Sequence, residues 1–173
     1  FWSMYDFSLC GKSIRTFDRE KEMKVFLLVG GTGRGKTTTA KKIALKVGRE
    51  NLIYDVNNEY KDIYNKPFTD FETFLKDAKK ATGKTIIFEE ATIFLSNNKD
   101  SAAMREILVR KRHSQNFIVL VFHSLRGVPL YILELTNFLI LKKTNDLPAE
   151  ISAKFRGYTS ILSTFEEVSR DNN

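Results

Sequence analysis

The sequence predicts an α/β protein in which a mainly parallel β-sheet is flanked by helices. Short apolar runs alternate along the chain with segments of helical periodicity, a pattern typical of βαβ units. The run Phe117–Phe122 is apolar without interruption, as expected of a central parallel strand that is buried on both faces. The 173 residues contain no linker rich in Pro, Gly or Ser, so we expect one domain.

The first half of the chain contains two predicted strands and two predicted helices. Lys24–Val29 is rich in Val, Leu and Phe and predicts the first strand, and Asn51–Asp55 predicts the second. Lys36–Val47 has apolar residues at helical spacing and is followed by a glycine, a common helix end. A further helix is predicted to open with the Thr-x-x-Glu capping box at Thr69–Glu72 and to end before Gly83.

The second half continues the alternation of strands and helices. Thr85–Phe88 predicts the third strand, and Phe117–Phe122 and Asn137–Leu141 predict the fourth and fifth. A polar loop is predicted at Ser96–Asp100 and a helix at Ser101–Arg112, where the apolar residues share one face. The order of these elements predicts parallel neighbours joined by helical crossovers.

Both ends of the chain lie outside the predicted core, which comprises residues 24–154. Residues 1–22 have two interpretations, an arm that packs on a neighbouring subunit or a terminal strand. Residues 158–173 predict a tail with one short amphipathic stretch, Phe165–Val168, before polar residues.

Composition excludes several classes of protein. The only cysteine, Cys10, can form no disulfide within the chain, so we expect a reducing compartment, the cytoplasm. The longest apolar runs, Val25–Val29 and Phe117–Phe122, are too short to cross a bilayer, so we expect no stable membrane insertion. The formal net charge of +7 favours an anionic partner such as nucleic acid or a membrane surface.

A glycine-rich turn between the first predicted strand and the first predicted helix carries the clearest chemical signal. Residues 30–37 fit the phosphate-binding pattern G-x-x-x-x-G-K-[ST] in full. Glycines let successive backbone N–H groups surround a phosphate, and the helix N-terminus adds the positive end of its dipole. Lys36 is predicted to reach the β- and γ-phosphates of ATP, and the hydroxyl of Thr37 to hold Mg²⁺. The predicted nucleotide contacts are Gly30, Gly31, Thr32, Gly33, Arg34, Gly35, Lys36, Thr37 and Thr38.

This turn has two other interpretations. A dinucleotide-binding turn does not fit, because Lys36 occupies the position that the third glycine would take. A glycine-rich turn that binds nothing is the remaining alternative. The position of the pattern, after a strand and before a helix, favours phosphate binding.

Two carboxylates directly follow the third predicted strand. Glu89 and Glu90 stand at its carboxyl end, the edge at which open α/β sheets bind ligands. Together with the glycine loop, this pair resembles the acids of P-loop ATPases. The resemblance implies that this strand lies next to the strand before the glycine loop, that Glu89 holds Mg²⁺ through water, and that Glu90 polarises the attacking water. The first acid of such a pair is usually Asp, whereas here it is Glu89, so the two acids could exchange roles. A strand end that is simply exposed to solvent is the other alternative.

These motifs resemble the FtsK–HerA group of P-loop ATPases, which includes DNA pumps and the genome-packaging ATPases of some viruses. The resemblance extends over roughly residues 24–154. It rests on the glycine loop, the acidic pair, an Asp-x-x-x-Glu-Tyr pattern at residues 55–60, and the residues on both sides of the fourth strand, Arg112-His113 before it and His123 to Pro129 after it. It implies a RecA-like P-loop ATPase core that uses ATP and Mg²⁺.

The resemblance also implies roles at the fourth strand. The family often has an amide at the end of this strand as a polar sensor, whereas here His123 and Ser124 take that place. Either side chain can hydrogen-bond a γ-phosphate or the attacking water; a histidine that is only structural is the alternative. Arg112, and as second choice Arg126, is the implied arginine that a neighbouring subunit supplies to offset phosphoryl charge. A solvated helix end with ordinary surface arginines remains open.

The resemblance implies a DNA-translocating motor, specifically a viral genome-packaging ATPase. It further implies a homo-oligomeric ring, a hexamer or pentamer, with double-stranded DNA and a viral capsid or portal vertex as partners. The implied location is the host cytoplasm or the virion. Two alternatives remain open, a P-loop kinase of a small molecule and a phage morphogenesis or assembly protein that uses ATP as a switch.

Overall fold

The computed structural model describes residues 3–6, 24–64, 66–95 and 98–170. Its strands are β1 (Ser3–Asp6), β2 (Val25–Val29), β3 (Asn51–Tyr54), β4 (Thr85–Phe88), β5 (Phe117–Phe122) and β6 (Phe138–Leu141). Its helices are α1 (Lys36–Val47), α2 (Phe71–Lys80), α3 (Ala91–Phe94), α4 (Asn98–Ser114), α5 (Leu130–Leu135), α6 (Pro148–Lys154) and α7 (Thr159–Arg170).

The strands form one sheet in the order β1-β6-β2-β5-β4-β3. The five strands β2 to β6 run parallel, and β1 pairs with β6 in the antiparallel direction at the edge. The predicted α/β class and mainly parallel sheet are therefore confirmed. Within the N-terminal segment, residues 3–6 form β1; the rest of residues 1–22 lies outside the described residues.

The position predicted for the strand with the acidic pair is wrong. β4 is not the neighbour of β2, because β5 lies between them and pairs with both, with Ile118 opposite Val25 on one side and Ile86 on the other. All six residues of β5 are buried and apolar, which suits a strand covered on both faces. As a consequence, the residues that follow β5 lie between the glycine loop and the acidic pair.

Helices cover both faces of the sheet. One face packs on α2, α4, α5, α6 and α7 through a large apolar cluster that includes Leu27, Phe88 and Leu120. The other face packs on α1 through Ala40 and Ala44. In the part of the chain that the structure describes, no helix combines the length and the apolar character needed to cross a membrane.

The predicted capping box is wrong by one residue. The N-cap of α2 is Asp70, whose carboxylate accepts a hydrogen bond of 2.8 Å from the Thr73 N–H, and the helix begins at Phe71. Aspartate is at least as good an N-cap as threonine. This start leaves Phe71 and Phe74 among the buried residues of α2.

Two helices are longer than predicted. α4 begins at Asn98, inside the predicted loop Ser96–Asp100, because the first turn of a helix has unpaired N–H groups and accepts polar residues. The tail contains the whole of α7 rather than the short stretch Phe165–Val168. Ile161 and Phe165, four residues apart, are buried on one face of α7, so the apolar spacing of the helix begins before the predicted stretch.

Candidate nucleotide-binding site

The glycine loop joins β2 to α1 and is fastened to the strands on both sides of β2. Gly30 N–H donates to the carbonyl of Phe122 at 3.0 Å, and Gly31 N–H donates to that of Lys143 at 2.9 Å. Gly35, the residue before α1, has a φ of +68°, a left-handed conformation that favours glycine. The loop thus delivers the N-terminus of α1, with its unpaired N–H groups, to the carboxyl edge of the sheet.

Lys36, the first residue of α1, folds back across the loop. Its ammonium donates to the Gly31 carbonyl at 3.0 Å and to Nδ1 of His123 at 3.2 Å. Burial lowers the pKa of Lys36, while the negative charges of Glu89 and Glu90 oppose this effect. The site therefore holds a largely desolvated cation at the position where the motif predicts phosphate contacts.

Glu89, at the end of β4, is buried and engaged on both carboxylate oxygens. Its Oε2 accepts a hydrogen bond of 2.5 Å from the hydroxyl of Tyr60, and its Oε1 lies 3.4 Å from Oγ1 of Thr37. Burial raises the pKa of Glu89 to about 7, and the hydrogen bond from Tyr60 counteracts part of the rise. A proton on this carboxyl must leave before it binds a cation.

The segment after β3 supplies two site residues that sequence reasoning missed, Glu59 and Tyr60. Asp55 holds this segment in a turn, because its carboxylate accepts hydrogen bonds from the N–H groups of Asn57 at 3.1 Å and Tyr60 at 3.0 Å. Glu59 then accepts a hydrogen bond of 2.9 Å from the hydroxyl of Thr37. The Asp-x-x-x-Glu-Tyr pattern contained the signal, since a polar run directly after a strand lies at the ligand-binding edge.

The oxygen atoms around Thr37 fit Mg²⁺. This cation prefers hard oxygen ligands and usually keeps few protein ligands beside waters and substrate phosphates. The Thr37 hydroxyl lies within 2.9 Å of Glu59 and 3.4 Å of Glu89, and its oxygen keeps lone pairs for a metal while its hydrogen is donated. Among the described residues no set of three or more His, Cys, Asp or Glu side chains is arranged to hold a metal ion. These residues suit a cation that arrives with a nucleotide.

His123 connects Lys36 to Glu90. An ammonium has no acceptor, so Nδ1 of His123 accepts from Lys36 and the ring proton is assigned to Nε2. That nitrogen lies 3.4 Å from Oε1 of Glu90. Glu90 has a φ of +55°, which is uncommon for a residue with a side chain and is typical of functional sites. His123 follows β5, and because β5 lies between β2 and β4, His123 can contact both Lys36 and Glu90.

The predicted arginines and the remaining loop residues have other surroundings. Arg126 is exposed and forms an ion pair of 2.8 Å with Glu150 of the same chain. Arg112 belongs to α4, but its side chain lies outside the described part of the structure. The side chains of Thr32, Arg34 and Thr38, which were predicted to contact the nucleotide, are exposed. The roles predicted for these residues stay predictions.

Comparisons with known proteins give one family match and several similar structures. The family model "ATPase family associated with various cellular activities (AAA)" matches residues 26–162. No curated protein matches the chain. Among solved structures, B204, the DNA-packaging ATPase from Sulfolobus turreted icosahedral virus, aligns with a TM-score of 0.67 at 19% identity, over 84% of this chain and 86% of that chain.

The genome-packaging NTPase B204 from Sulfolobus turreted icosahedral virus 2 gives similar values. In complex with AMPPCP it aligns with a TM-score of 0.64 at 18% identity, over 85% of this chain and 87% of that chain. In complex with ATP-γ-S it aligns with a TM-score of 0.64 at 18% identity, over 88% and 87%. At such identities the likeness shows a shared fold, the RecA-like P-loop ATPase core.

Proposed function

The chain belongs to the ATPase family associated with various cellular activities (AAA), and from this premise we propose that it is a viral genome-packaging motor that hydrolyses ATP to move double-stranded DNA. The observation that carries the proposal is the fold shared with the packaging ATPase B204 over 84% of this chain and 86% of that one. The family supports ATP hydrolysis, and the fold of B204 supports packaging as its use. The FtsK–HerA-like motifs add further support.

In the proposed hydrolysis, Lys36 binds the β- and γ-phosphates of ATP. Mg²⁺, when bound with ATP, neutralises phosphate charge and orients the phosphates for in-line attack. The Thr37 hydroxyl and the Glu89 carboxylate would hold the cation, and the Tyr60 hydroxyl donates a hydrogen bond that fixes the orientation of Glu89. Glu59 accepts the hydrogen bond of the Thr37 hydroxyl, which leaves the lone pairs of the Thr37 oxygen for the metal.

The proposed general base is Glu90. Its side chain is about one-third exposed, and its Oε1 lies 3.4 Å from Nε2 of His123. In the proposed step the Glu90 carboxylate accepts the proton of the attacking water. His123 touches both Lys36 and Glu90, so a phosphate that draws Lys36 away from the ring changes the support of the base. This contact gives His123 the proposed role of sensor.

The proposed active unit is a ring of identical subunits, a hexamer or pentamer, with composite sites. An arginine from the neighbouring subunit would offset charge on the transferring phosphoryl group. Arg126 must first leave Glu150 to take this role. Arg112, in α4, stays the first choice because it matches the family's basic residue before the fourth predicted strand.

The proposed track is the phosphate backbone of double-stranded DNA. Movement along any sequence requires cations that face phosphates rather than a helix that reads bases. The formal net charge of +7 supports such contacts. A packaging role further implies a capsid or portal vertex as the partner, in the host cytoplasm or on the virion.

The proposal is tested by ATP hydrolysis with and without linear double-stranded DNA. We expect DNA of any sequence to stimulate turnover, and added salt to reduce the stimulation because counterion release drives such binding. Lys36→Ala protein serves as the control for contaminating ATPases. Stimulation of turnover by a small metabolite alone would favour the small-molecule kinase. Turnover that does not change when DNA is added would favour the ATP-switched assembly protein. Either result contradicts the proposed DNA motor.

A further inference from the structure

Lys142 is the first residue after β6, and its side chain lies against the glycine loop. Leu141 pairs with Val29 in the parallel register, and the Lys142 N–H donates to the Val29 carbonyl at 2.8 Å. A Cβ atom built on Gly30 would lie 2.8 Å from Cβ of Lys142 and 3.5 Å from Cγ of Lys36. The glycine therefore separates the stems of two lysines, and only one of them belongs to the phosphate-binding motif.

From Gly30, the side chains of Lys36 and Lys142 run in different directions. Lys36 turns toward His123, whereas Nζ of Lys142 lies 3.2 Å from the carbonyl oxygen of Gly35, at the start of α1. That oxygen already accepts hydrogen bonds from the N–H and the hydroxyl of Thr39, at 3.1 and 3.0 Å. Two lone pairs satisfy two donors, so the carbonyl does not require an additional lysine.

The charges around the two lysines also differ. Burial lowers the pKa of Lys36, and the negative charges of Glu89, Glu90 and Glu59 counteract part of this decrease. The pKa of Lys142 is lowered by burial and further by the positive charges of Lys42 and Lys36. The Lys142 ammonium is thus repelled by two neighbouring cations, and a polyanion at the N-terminus of α1 would relieve this repulsion.

We propose that Lys142 is a second phosphate-binding lysine of the loop and contacts the part of the phosphate chain that remains on ADP. Lys36 turns toward His123, which contacts the proposed general base Glu90, so this is the side of the loop where the proposed hydrolysis takes place. Lys142 lies toward Gly35 instead, so it serves binding of the phosphates that are not transferred. This inference rests on the nucleotide-binding part of the proposed function and is independent of DNA.

Calorimetric titration of ADP with Mg²⁺ tests the inference. Lys142→Gln keeps an N–H donor for the Gly35 carbonyl but removes the charge, and Lys142→Met keeps the stem beside Gly30 as a second neutral variant. We expect both to weaken ADP binding about tenfold or more, the effect of losing one charge-assisted hydrogen bond. Lys142→Arg should stay within about threefold, because it keeps the charge. Lys42→Gln, which removes an exposed lysine of α1, is the matched control and should change affinity by less than about twofold.

Melting temperatures of the nucleotide-free proteins separate binding from a structural role. Under the proposal, neutral variants at Lys142 melt at or above the temperature of the unaltered protein, because a repulsion is removed, and ADP raises their melting temperature less. A lower melting temperature with unchanged ADP affinity would mean that Lys142 only supports the loop. An equal loss of affinity in Lys42→Gln would also overturn the proposal, since it would reflect only net charge. If the unaltered protein binds no ADP, nucleotide binding itself is refuted; if ADP binds equally to all variants, this inference alone fails.

Discussion

Replacing Tyr60 with Phe removes one hydroxyl and tests how the site holds Glu89, the proposed cation-binding acid. The hydroxyl donates a hydrogen bond of 2.5 Å to Oε2 of Glu89. Tyr60 is fully buried and Glu89 is 5% exposed, so water does not readily replace the lost donor. The ring keeps its place in the apolar cluster under α1, and the change is therefore close to a pure loss of the hydrogen bond.

The magnitude follows from the environment of the pair. A hydrogen bond to a charged group contributes about 1.5–3 kcal/mol, and a buried acceptor without its donor costs a similar amount. The ionised, correctly oriented form of Glu89 should become roughly ten- to a hundredfold less populated, since about 1.4 kcal/mol is a factor of ten. Because burial already raises the pKa of Glu89 to about 7, the variant should raise it further.

The assay is ATP turnover as a function of Mg²⁺ concentration and of pH. We expect Tyr60→Phe to require more Mg²⁺ for half-maximal turnover. As the pH is lowered, the variant should lose activity at a higher pH than the unaltered protein, because Glu89 must be ionised to bind the cation. Identical Mg²⁺ and pH dependence in both proteins would refute the role of Tyr60. Lys41 lies above the Tyr60 ring, so Lys41→Met provides a neighbouring control that leaves the hydroxyl in place.

The same carboxyl makes a stability prediction with a definite sign. The pKa of Glu89 in the folded protein, about 7, exceeds the ordinary glutamate value of 4.5. Between these pH values the folded state binds the proton more tightly, so the free energy of unfolding of the nucleotide-free protein falls as pH rises through this window. The decrease from this group amounts to about 3 kcal/mol at most. Urea unfolding at a series of pH values measures it, and an increase of stability over this window in unaltered protein, absent in Glu89→Gln, would contradict the sign.

The remaining predictions concern hydrolysis. Lys36→Ala should abolish ATP turnover and leave the fold intact by circular dichroism; normal turnover would refute the phosphate-binding loop. Glu90→Gln should bind ATP and hydrolyse it at least about 10²-fold more slowly, as expected for loss of a general base. If Glu89→Gln instead abolishes hydrolysis and keeps binding, the two acids exchange roles. Arg112→Ala should bind ATP but hydrolyse it poorly. Mixing it with Lys36→Ala protein should restore some activity, because intact half-sites can meet at the mixed interfaces. If the two variants co-assemble without activity, Arg112 does not act on the neighbouring subunit and Arg126 is tested next.

The sequence was sufficient for those elements whose signal is local. The bounds of α1, Lys36–Val47, match the prediction because its apolar spacing and the following glycine are both local features. The five parallel strands were predicted for the same reason. The neighbour of β2 could not be predicted, because strand order depends on crossovers rather than on any residue pattern. The expectation that β4 adjoins β2 was therefore wrong.

In the candidate site, too, residues within local motifs could be predicted and residues brought in by strand pairing could not. Lys36, Thr37, Glu89 and Glu90 were selected from motifs, and the structure brings them to one edge of the sheet. Lys142 has no motif, since it reaches the loop only because β6 pairs with β2.

The central claim, that ATP hydrolysis moves this protein along double-stranded DNA, is tested most directly by displacement of a triplex-forming oligonucleotide from linear DNA. We predict displacement with ATP and Mg²⁺, none with a non-hydrolysable ATP analogue, and none with Lys36→Ala protein. An oligonucleotide that stays bound to the DNA while the protein hydrolyses ATP at a DNA-stimulated rate would contradict the claim.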